Sequence, residues 1–441
     1  MAAVLESTAN QIIRAALLDS SIIRPDQVPS AEDIATSLAR LNTMTKRWQA
    51  QGHHLWAQTE GIVFMDQGKE SYLLGPTGDE ATTADDFIGT TTTADLSAST
   101  TTITVGSTDG MLGAAEIITI DPISAQFWTP TDADVSVVGD NLRVTNNSAA
   151  AGFADFDLTC TVGQTYRVVS DFVFGSASGG SFSIRDPVAD SEIITSGILF
   201  VDTTVTFEFV ATQETMTFRL KNASFADTDF SELSSLSQID KASGDNIGIK
   251  QDDNTRHWST IVEVVSTTVL EINTSLVTDA ASGAQVFTFT DFIERPMRIY
   301  NERTETIGQN NEIPAYKWSR QQYMQQTIKD SEGTIIQLYY NPRLIDGELF
   351  VWQTASDCNQ VAFFTFDRPL QISDDLIDKP DFPSEWFDAL KWNLAAQLLP
   401  GYGVPAQAAQ LVMANAASSL QEALAFDEET GSLYVMPDKR A

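Results

Sequence analysis

The apolar positions of the chain change period twice along its length. Near the start they recur at spacings of three and four: Ile12, Ile13, Ala16 and Leu17 share one face of a helix over roughly Ser7 to Leu18, and Ile34, Leu38, Leu41, Met44 and Trp48 share one face of a second. Ser30-Ala31-Glu32-Asp33 is a capping-box-like start for the second helix, and Gly52 stops it. The same spacing returns near the end. Pro383-Ser384 opens a helix with Trp386, Leu390, Leu394 and Leu398 every four residues, Pro400-Gly401-Tyr402-Gly403 ends it, and a further helix carries Val412, Ala416, Leu420 and Leu424. Each stripe is too narrow to make a core alone, so the pattern predicts a small helical bundle built from both chain termini, residues 1–55 and 373–426.

Between the ends the period falls to two. Thr100 to Val105, Ile261 to Val265, Thr268 to Ile272 and Val286 to Phe289 are short alternating runs separated by Gly, Asp and Ser, which predicts antiparallel strands. No alternation of strands with helices suggests a parallel sheet. Leu142-Arg143-Val144, Tyr166 to Phe174, Ser181 to Ile184, Thr204 to Phe209 and Thr215 to Leu220 are spaced like the strands of a sandwich. The predicted fold class is therefore α+β: the terminal helical bundle, a central antiparallel β domain from 56–113 and 244–372, an inserted all-β sandwich of jelly-roll or Ig-like type at 114–243, and an exposed tail at 427–441.

Composition narrows the function. The 441 residues carry 60 Asp+Glu against 26 Lys+Arg, a formal net charge of −34, which excludes a protein that works by gripping nucleic acid phosphates or anionic membranes. The 24 Phe, 9 Tyr and 8 Trp argue for packed cores and against disorder. Residues 122–243 hold 16 Asp+Glu and 6 Lys+Arg, so the acidity is spread over the chain and not confined to one arm. No run approaches 18 consecutive apolar residues and Met1 to Gln11 has no signal-peptide pattern, so the chain is expected to be made in the cytoplasm and not to span a membrane.

Candidate chemistry is sparse. Cys160 and Cys358 fit neither a ligand spacing nor a disulfide framework. The only histidines are the adjacent His53-His54 and His257, which predicts no metal site. Asp252-Asp253-Asn254 lacks the glycine and terminal glutamate of a calcium loop and reads as a polar hairpin turn. Gly-x-Ser-x-Gly, P-loop and His-Glu-x-x-His patterns are absent, so no enzyme and no cofactor are expected. Trp48, Trp56, Trp386 and Trp392 read as core aromatics at helical spacing, the alternative being anchors at subunit interfaces. Leu433-Tyr434-Val435-Met436 is an apolar cluster in an otherwise polar tail and is the candidate segment for docking on a partner protein or a neighbouring subunit. In the insert, Trp128, Tyr166 and Phe153 are the candidates for stacking on sugars, against a peripheral bracing role.

Outside the insert the chain resembles the head-to-tail adaptor, or packaged-DNA stabilisation, proteins of short-tailed bacteriophages. Three sets of residues carry the resemblance. They are Leu41-Asn42-Thr43-Met44 with Trp48-Gln49-Ala50-Gln51-Gly52 and Leu55-Trp56; Gly244-Asp245-Asn246-Ile247-Gly248-Ile249 with His257-Trp258-Ser259-Thr260-Ile261, Tyr339-Tyr340-Asn341-Pro342 and Leu349-Phe350-Val351-Trp352; and Asp381-Phe382-Pro383-Ser384-Glu385-Trp386 with Asn393-Leu394-Ala395 and Pro400-Gly401-Tyr402-Gly403. In compact members the run resembling Asp109-Gly110-Met111 leads almost directly into Gly244-Asp245, so the insert lies outside what the resemblance covers.

The resemblance implies a structural virion protein of the neck. It would form a ring, usually of twelve copies, with its helical part against the portal and its β part toward the tail nozzle or tail fibres. Such a ring extends the DNA channel, helps retain packaged DNA and gives tail proteins a platform; an acidic wall lets genomic DNA pass without specific binding. The alternative is a tail or fibre protein whose β-sandwich recognises a host-surface receptor.

Overall fold

A computed structural model of the chain describes residues 8–52, 55–114, 116–120, 125–307 and 311–426. Among these, the fold is α+β and consists mostly of antiparallel sheet, with helices at both ends. The chain divides into two compact units: residues 1–85, 292–356 and 360–441 form one, and 86–291 with 357–359 form the other.

In the first unit both chain ends build one helical core. Helices α1 (Ala9–Asp19) and α2 (Ala31–Gln51) begin in capping boxes, Thr8 with Gln11 and Ser30 with Asp33, which satisfy otherwise orphaned N–H groups. A short helix α3 (Arg320–Gln325) follows much later, and α4 (Phe387–Tyr402) and α5 (Ala406–Phe426) close the chain. Ile12, Ile13, Leu17, Leu41, Met44, Leu390, Leu394 and Leu398 are buried together, as the stripes predict. The run Pro400-Gly401-Tyr402-Gly403 ends α4 as expected, with the stop at Gly403 and not at Pro400. In the last turn a proline forfeits one backbone bond, and the helix runs on to Tyr402 before Gly403 turns it at φ 62°.

The β part of this unit is a five-stranded sheet in the order Glu312–Pro314, Ile299–Thr306, Gln360–Asp367, Gln58–Phe64, Ala81–Thr83, and a four-stranded sheet in the order Ser71–Leu74, Gly347–Trp352, Gln337–Asn341, Tyr316–Lys317. Their shared core includes Val63, Tyr72, Leu338, Val351, Phe364 and Phe366.

The second unit holds a six-stranded sheet in the order Ile88–Thr91, Gln285–Phe289, Asn246–Lys250, Arg256–Ser266, Val269–Ile272, Thr102–Thr104. Residues 56–113 and 244–372, expected as one β domain, are thus divided between the units. Gln58–Phe64 pairs with Gln360–Asp367 in one, whereas Ile88–Thr91 and Thr102–Thr104 pair within 246–289 in the other, and each set closes its own apolar core.

The insert is a sandwich. One sheet runs Ser191–Thr195, Gly180–Asp186, Thr215–Asn222, Phe153–Thr159, Thr129–Thr131; the other runs Thr203–Val210, Thr165–Val173, Phe230–Asp240, Asn141–Asn146, Ala133–Val138. From Phe153 onward the chain passes repeatedly from one sheet to the other, the winding of a jelly roll. Alternation is clean: Thr165–Val173 buries Tyr166, Val168, Ser170 and Phe172 and turns the residues between them outward.

Candidate functional site

The residues at the two chain ends that carry the adaptor resemblance converge on an aromatic wedge. Trp48 of α2 and Trp56 approach Trp386 with ring centroids 5.6 and 5.0 Å apart, and Phe382 lies 5.9, 5.0 and 5.6 Å from Trp48, Trp56 and Trp386. These tilted and edge-on contacts suit the aromatic quadrupole. Trp386 is 1% exposed and Trp48 5%, and Trp392 packs half-buried against the same core. Pro383 leads into the single helical turn Ser384–Trp386 that presents Trp386.

Polar groups fasten the wedge. The Trp56 indole donates to the Asp381 carbonyl at 3.1 Å, and the Asp381 carboxylate accepts from Arg368 at 2.8 Å and from the Gln371 N–H at 3.2 Å. Burial pushes the Asp381 pKa up, yet the Arg368 bonds prevail and hold it below the usual carboxylate range. Asn42 and Gln49 of α2 grip the segment after the last strand, donating to the carbonyls of Ser373 at 2.8 Å and Arg368 at 3.0 Å. Gly52 ends α2 at φ 91°, a left-handed position that disfavours a Cβ. The Tyr402 hydroxyl donates to Asp33 at 2.5 Å, so the residue before the Gly403 cap holds the capping carboxylate of α2. The Ser30 hydrogen bond first, and Tyr402 second, lower the Asp33 pKa; burial and the bond to Asp33 push the Tyr402 phenol up to about 12. The Asn393 amide donates to Ala389 at 2.9 Å and to Ala416 at 3.1 Å, stitching α4 to α5.

The other motif residues lie apart from the wedge. In the second unit Asp245, 3% exposed, stands at the root of the insert: its carboxylate accepts from the Leu112 N–H at 2.7 Å and the Thr290 hydroxyl at 2.8 Å, and its own N–H donates to the Leu112 carbonyl at 3.1 Å. His257 shares a ring nitrogen with the Thr274 carbonyl at 3.0 Å, and Trp258 meets Phe289 edge-on at 5.8 Å. A Cβ on Gly248 would come within 2.6 Å of the Trp258 ring, so the indole lies directly on that backbone. In the first unit Trp352 stacks on Trp318 at 5.4 Å and donates to the Ile328 carbonyl at 2.8 Å; Pro342 follows the strand Gln337–Asn341. Leu433, Tyr434, Val435 and Met436 fall outside the described residues, as do His53 and His54.

Groups able to do chemistry are spread out. Among the described residues no three His, Cys, Asp or Glu side chains are placed to hold a metal. Cys160 and Cys358 are free and buried, and burial raises both thiol pKa values, Cys160 to about 11, which keeps them protonated and weakly nucleophilic. In the turn 252–254 Asp253 accepts from the Thr255 N–H at 3.0 Å, Asp252 from the Ala281 N–H at 3.0 Å, and Asn254 takes φ 64°. Beside it lies a polar groove of about 360 Å³ lined by Lys250, Gln251, Asp252 and Ser282. A second groove, of about 520 Å³, is lined by Lys46, Glu294, Arg295, Ile345 and Leu370, and there burial lowers the Lys46 pKa against the pull of Glu294 and Asp381. Neither groove has a His or Cys in its lining.

The insert's expected sugar-stacking aromatics are occupied. Trp128 is 5% and Tyr166 2% exposed in the sandwich core, and the Arg219 guanidinium covers the Phe153 ring at 3.6 Å. The alternation placed Tyr166 on a strand but left open which face is inward. Sequence reasoning also missed the tie between the sandwich and the six-stranded sheet. Arg167, on the sandwich, bonds Glu208 of its own sheet at 2.8 Å and Glu271 of the other sheet at 3.1 Å, and Lys241 bonds Glu208 at 3.1 Å. Only a non-local pairing could have revealed it.

No family model and no curated protein matches the chain. Solved structures similar to part of it include the CBM22-1 and GH10 modules of Clostridium thermocellum xylanase 10B, at 13% identity over 29% of this chain and TM-score 0.24; the match spans 28% of that chain. A family 35 carbohydrate-binding module of Clostridium thermocellum matches at 11% identity over 28% of this chain and 98% of its own, TM-score 0.23. The CBM22-1 xylan-binding domain of Paenibacillus barcinonensis Xyn10C matches at 13% identity over 29% and 95%, TM-score 0.23. At these scores the likeness assigns neither family nor ligand.

Proposed function

We propose that the chain is a structural assembly protein, a head-to-tail adaptor of a short-tailed phage that forms a ring beneath the portal and works through interfaces and not through catalysis. The observation that carries this reading is the convergence of Trp48, Trp56, Phe382 and Trp386, from segments more than three hundred residues apart, into one largely buried wedge where α2 ends at Gly52, while Tyr402 on Asp33 ties the opposite ends of α2 and α4 together. The motif residues therefore serve as joints of a framework. Helix α5 supports the same reading: its 21 residues carry one charged side chain, Glu422, and Leu411 and Met413, on either side of the buried Val412, stand 64 and 54% exposed, apolar surface suited to burial against another subunit.

In this reading the ring, expected at twelve copies, meets the portal on one side and the tail nozzle or fibre proteins on the other, with residues 433–436 as a docking segment and DNA passing an acidic lumen unbound. The test is quantitative mass spectrometry of purified particles, with the portal protein as internal standard. One copy per portal subunit, and loss of portal binding on deletion of residues 427–441, are the expected results. A ratio near that of a trimeric spike moves the chain to the fibres, and absence from the particle removes the reading altogether.

A further inference from the structure

One end of the sandwich is apolar where loop tips are ordinarily polar. The connections 147–152, 174–179, 196–202 and 223–229 meet there and bond to one another or to the strand ends between them. The Phe174 N–H donates to Asp202 at 2.7 Å, Leu199 to the Gly180 carbonyl at 2.7 Å, Ala223 to Gly179 at 2.8 Å and Asn222 to Gly152 at 2.9 Å. Two buried amides lie beneath. Asn222 donates to the Asn146 side chain at 2.8 Å, and Asn146 donates to the carbonyls of Ser224 at 3.0 Å and Ala226 at 3.1 Å. Loops held this way lose little further freedom when a partner binds.

On this support stand Phe174, Ile198, Phe200, Val201 and Phe225, respectively 41, 56, 61, 66 and 70% exposed. A Cβ on Gly179 would lie 2.6 Å from Ile198 and 3.3 Å from Phe200, so the loops touch at this glycine and the side chains are neighbours. Single exposed apolar residues are ordinary, but five on adjoining loops make a patch.

The chemistry of the patch selects its partner. The four loops contain Asp202, Asp227 and Asp229 and no Lys or Arg. Asp202 already accepts from Phe174, Asp229 from Ser224 and Ser176, and the Asn146 and Asn222 amide N–H groups point inward. Phenyl rings can stack on the C–H face of a sugar, but neither they nor the aliphatic groups offer a partner to its hydroxyls, so a glycan's polar groups would be desolvated there without hydrogen bonds in return. A second copy seated patch against patch would set Asp202, Asp227 and Asp229 against the same three carboxylates. We propose that this loop end docks a protein segment whose large apolar side chains are flanked by Lys or Arg. The apolar groups fill the spaces between the phenyl rings while the cations face Asp227. The proposal requires no ring and stands apart from the adaptor reading.

The test pans a random linear peptide library on the immobilised full chain and measures the enriched peptides, labelled, by fluorescence anisotropy. Expected are peptides with paired large apolar residues next to Lys or Arg. Their affinity should fall at least about tenfold on joint Phe200→Ser and Phe225→Ser substitution, and less, but measurably, with Asp227→Lys or raised salt. These side chains are more than half exposed or on the loop surface, so unchanged thermal unfolding of the variants is expected and is checked alongside. Peptides that bind the variants as well as the parent, or no enrichment, overturn the proposal. So do glycan-array signals lost on the same substitutions, which make it a sugar surface, or a wild-type dimer abolished by them, which makes the occupant a second copy.

Discussion

Replacing Asp245 by Ala removes the clasp at the root of the insert. Two side-chain bonds disappear, from the Leu112 N–H at 2.7 Å and the Thr290 hydroxyl at 2.8 Å, and the carboxylate that makes them is 3% exposed. Hydrogen bonds to a charged acceptor contribute about 1.5–3 kcal/mol each, and a bare N–H regains part of that from water where solvent reaches it, so the expected loss is roughly 2–4 kcal/mol. For a unit of this size about 2–4 °C of midpoint accompanies each kcal/mol, which places the second unit's transition about 5–15 °C lower. Asn in the same place keeps an acceptor for Leu112 and gives Thr290 a donor, because a hydroxyl accepts as readily as it donates, so Asp245→Asn is expected to cost less than about 1 kcal/mol. Differential scanning calorimetry reads the transition, and hydrogen exchange at residues 110–114 and 243–247 reads the root. If Asn destabilises as much as Ala, the charge matters and the bonding geometry does not. If Ala lowers the transition by less than about 2 °C, the clasp contributes nothing of note and the reasoning fails.

Two further outcomes are expected in the first unit. Trp386→Ala leaves a hole among Trp48, Trp56 and Phe382 and should cost about 3–5 kcal/mol, read as a lowered unfolding midpoint in urea; a loss under about 1 kcal/mol would mean the wedge collapses freely around the gap. Tyr402→Phe removes the donor that helps hold the Asp33 pKa below its ordinary value of 3.8. A depressed carboxyl pKa contributes stability that is present above the unfolded pKa and is lost as pH falls through the folded one, so parent and variant should differ at neutral pH and converge below about pH 3.8. A gap that stays constant through acid would show that the bond acts independently of Asp33 ionisation.

The helices were legible because each announces its own face. Ile12 to Leu17, Leu41 to Trp48 and Leu390 to Leu398 bury as their spacing requires, and Ser30 and Gly52 mark the ends of α2 by local chemistry alone. Strands were legible as strands, as at Asn141–Asn146 and Thr165–Val173. Pairing was not, because nothing local in Thr102–Thr104 says that it borders Val269–Ile272 while Gln58–Phe64 borders Gln360–Asp367. That is why one expected β domain became parts of two units. Period-two alternation also leaves the inward face undefined, and so Tyr166, taken as a surface aromatic, lies in the core. Phe200 and Phe225 lie in loops without any period, and only the bonds that gather those loops reveal them as a patch.

The Asp245 N–H on the Leu112 carbonyl, 3.1 Å apart, means that the polypeptide leaves the six-stranded sheet and returns to it at the same point. The host sheet has its own core, from Ile103 and Val105 to Ile247, Ile261 and Leu270, and is indifferent to the length of the excursion, because closure entropy grows only with the logarithm of loop length. A lineage can therefore acquire, exchange or shed the intervening cassette while the framework that received it stays folded.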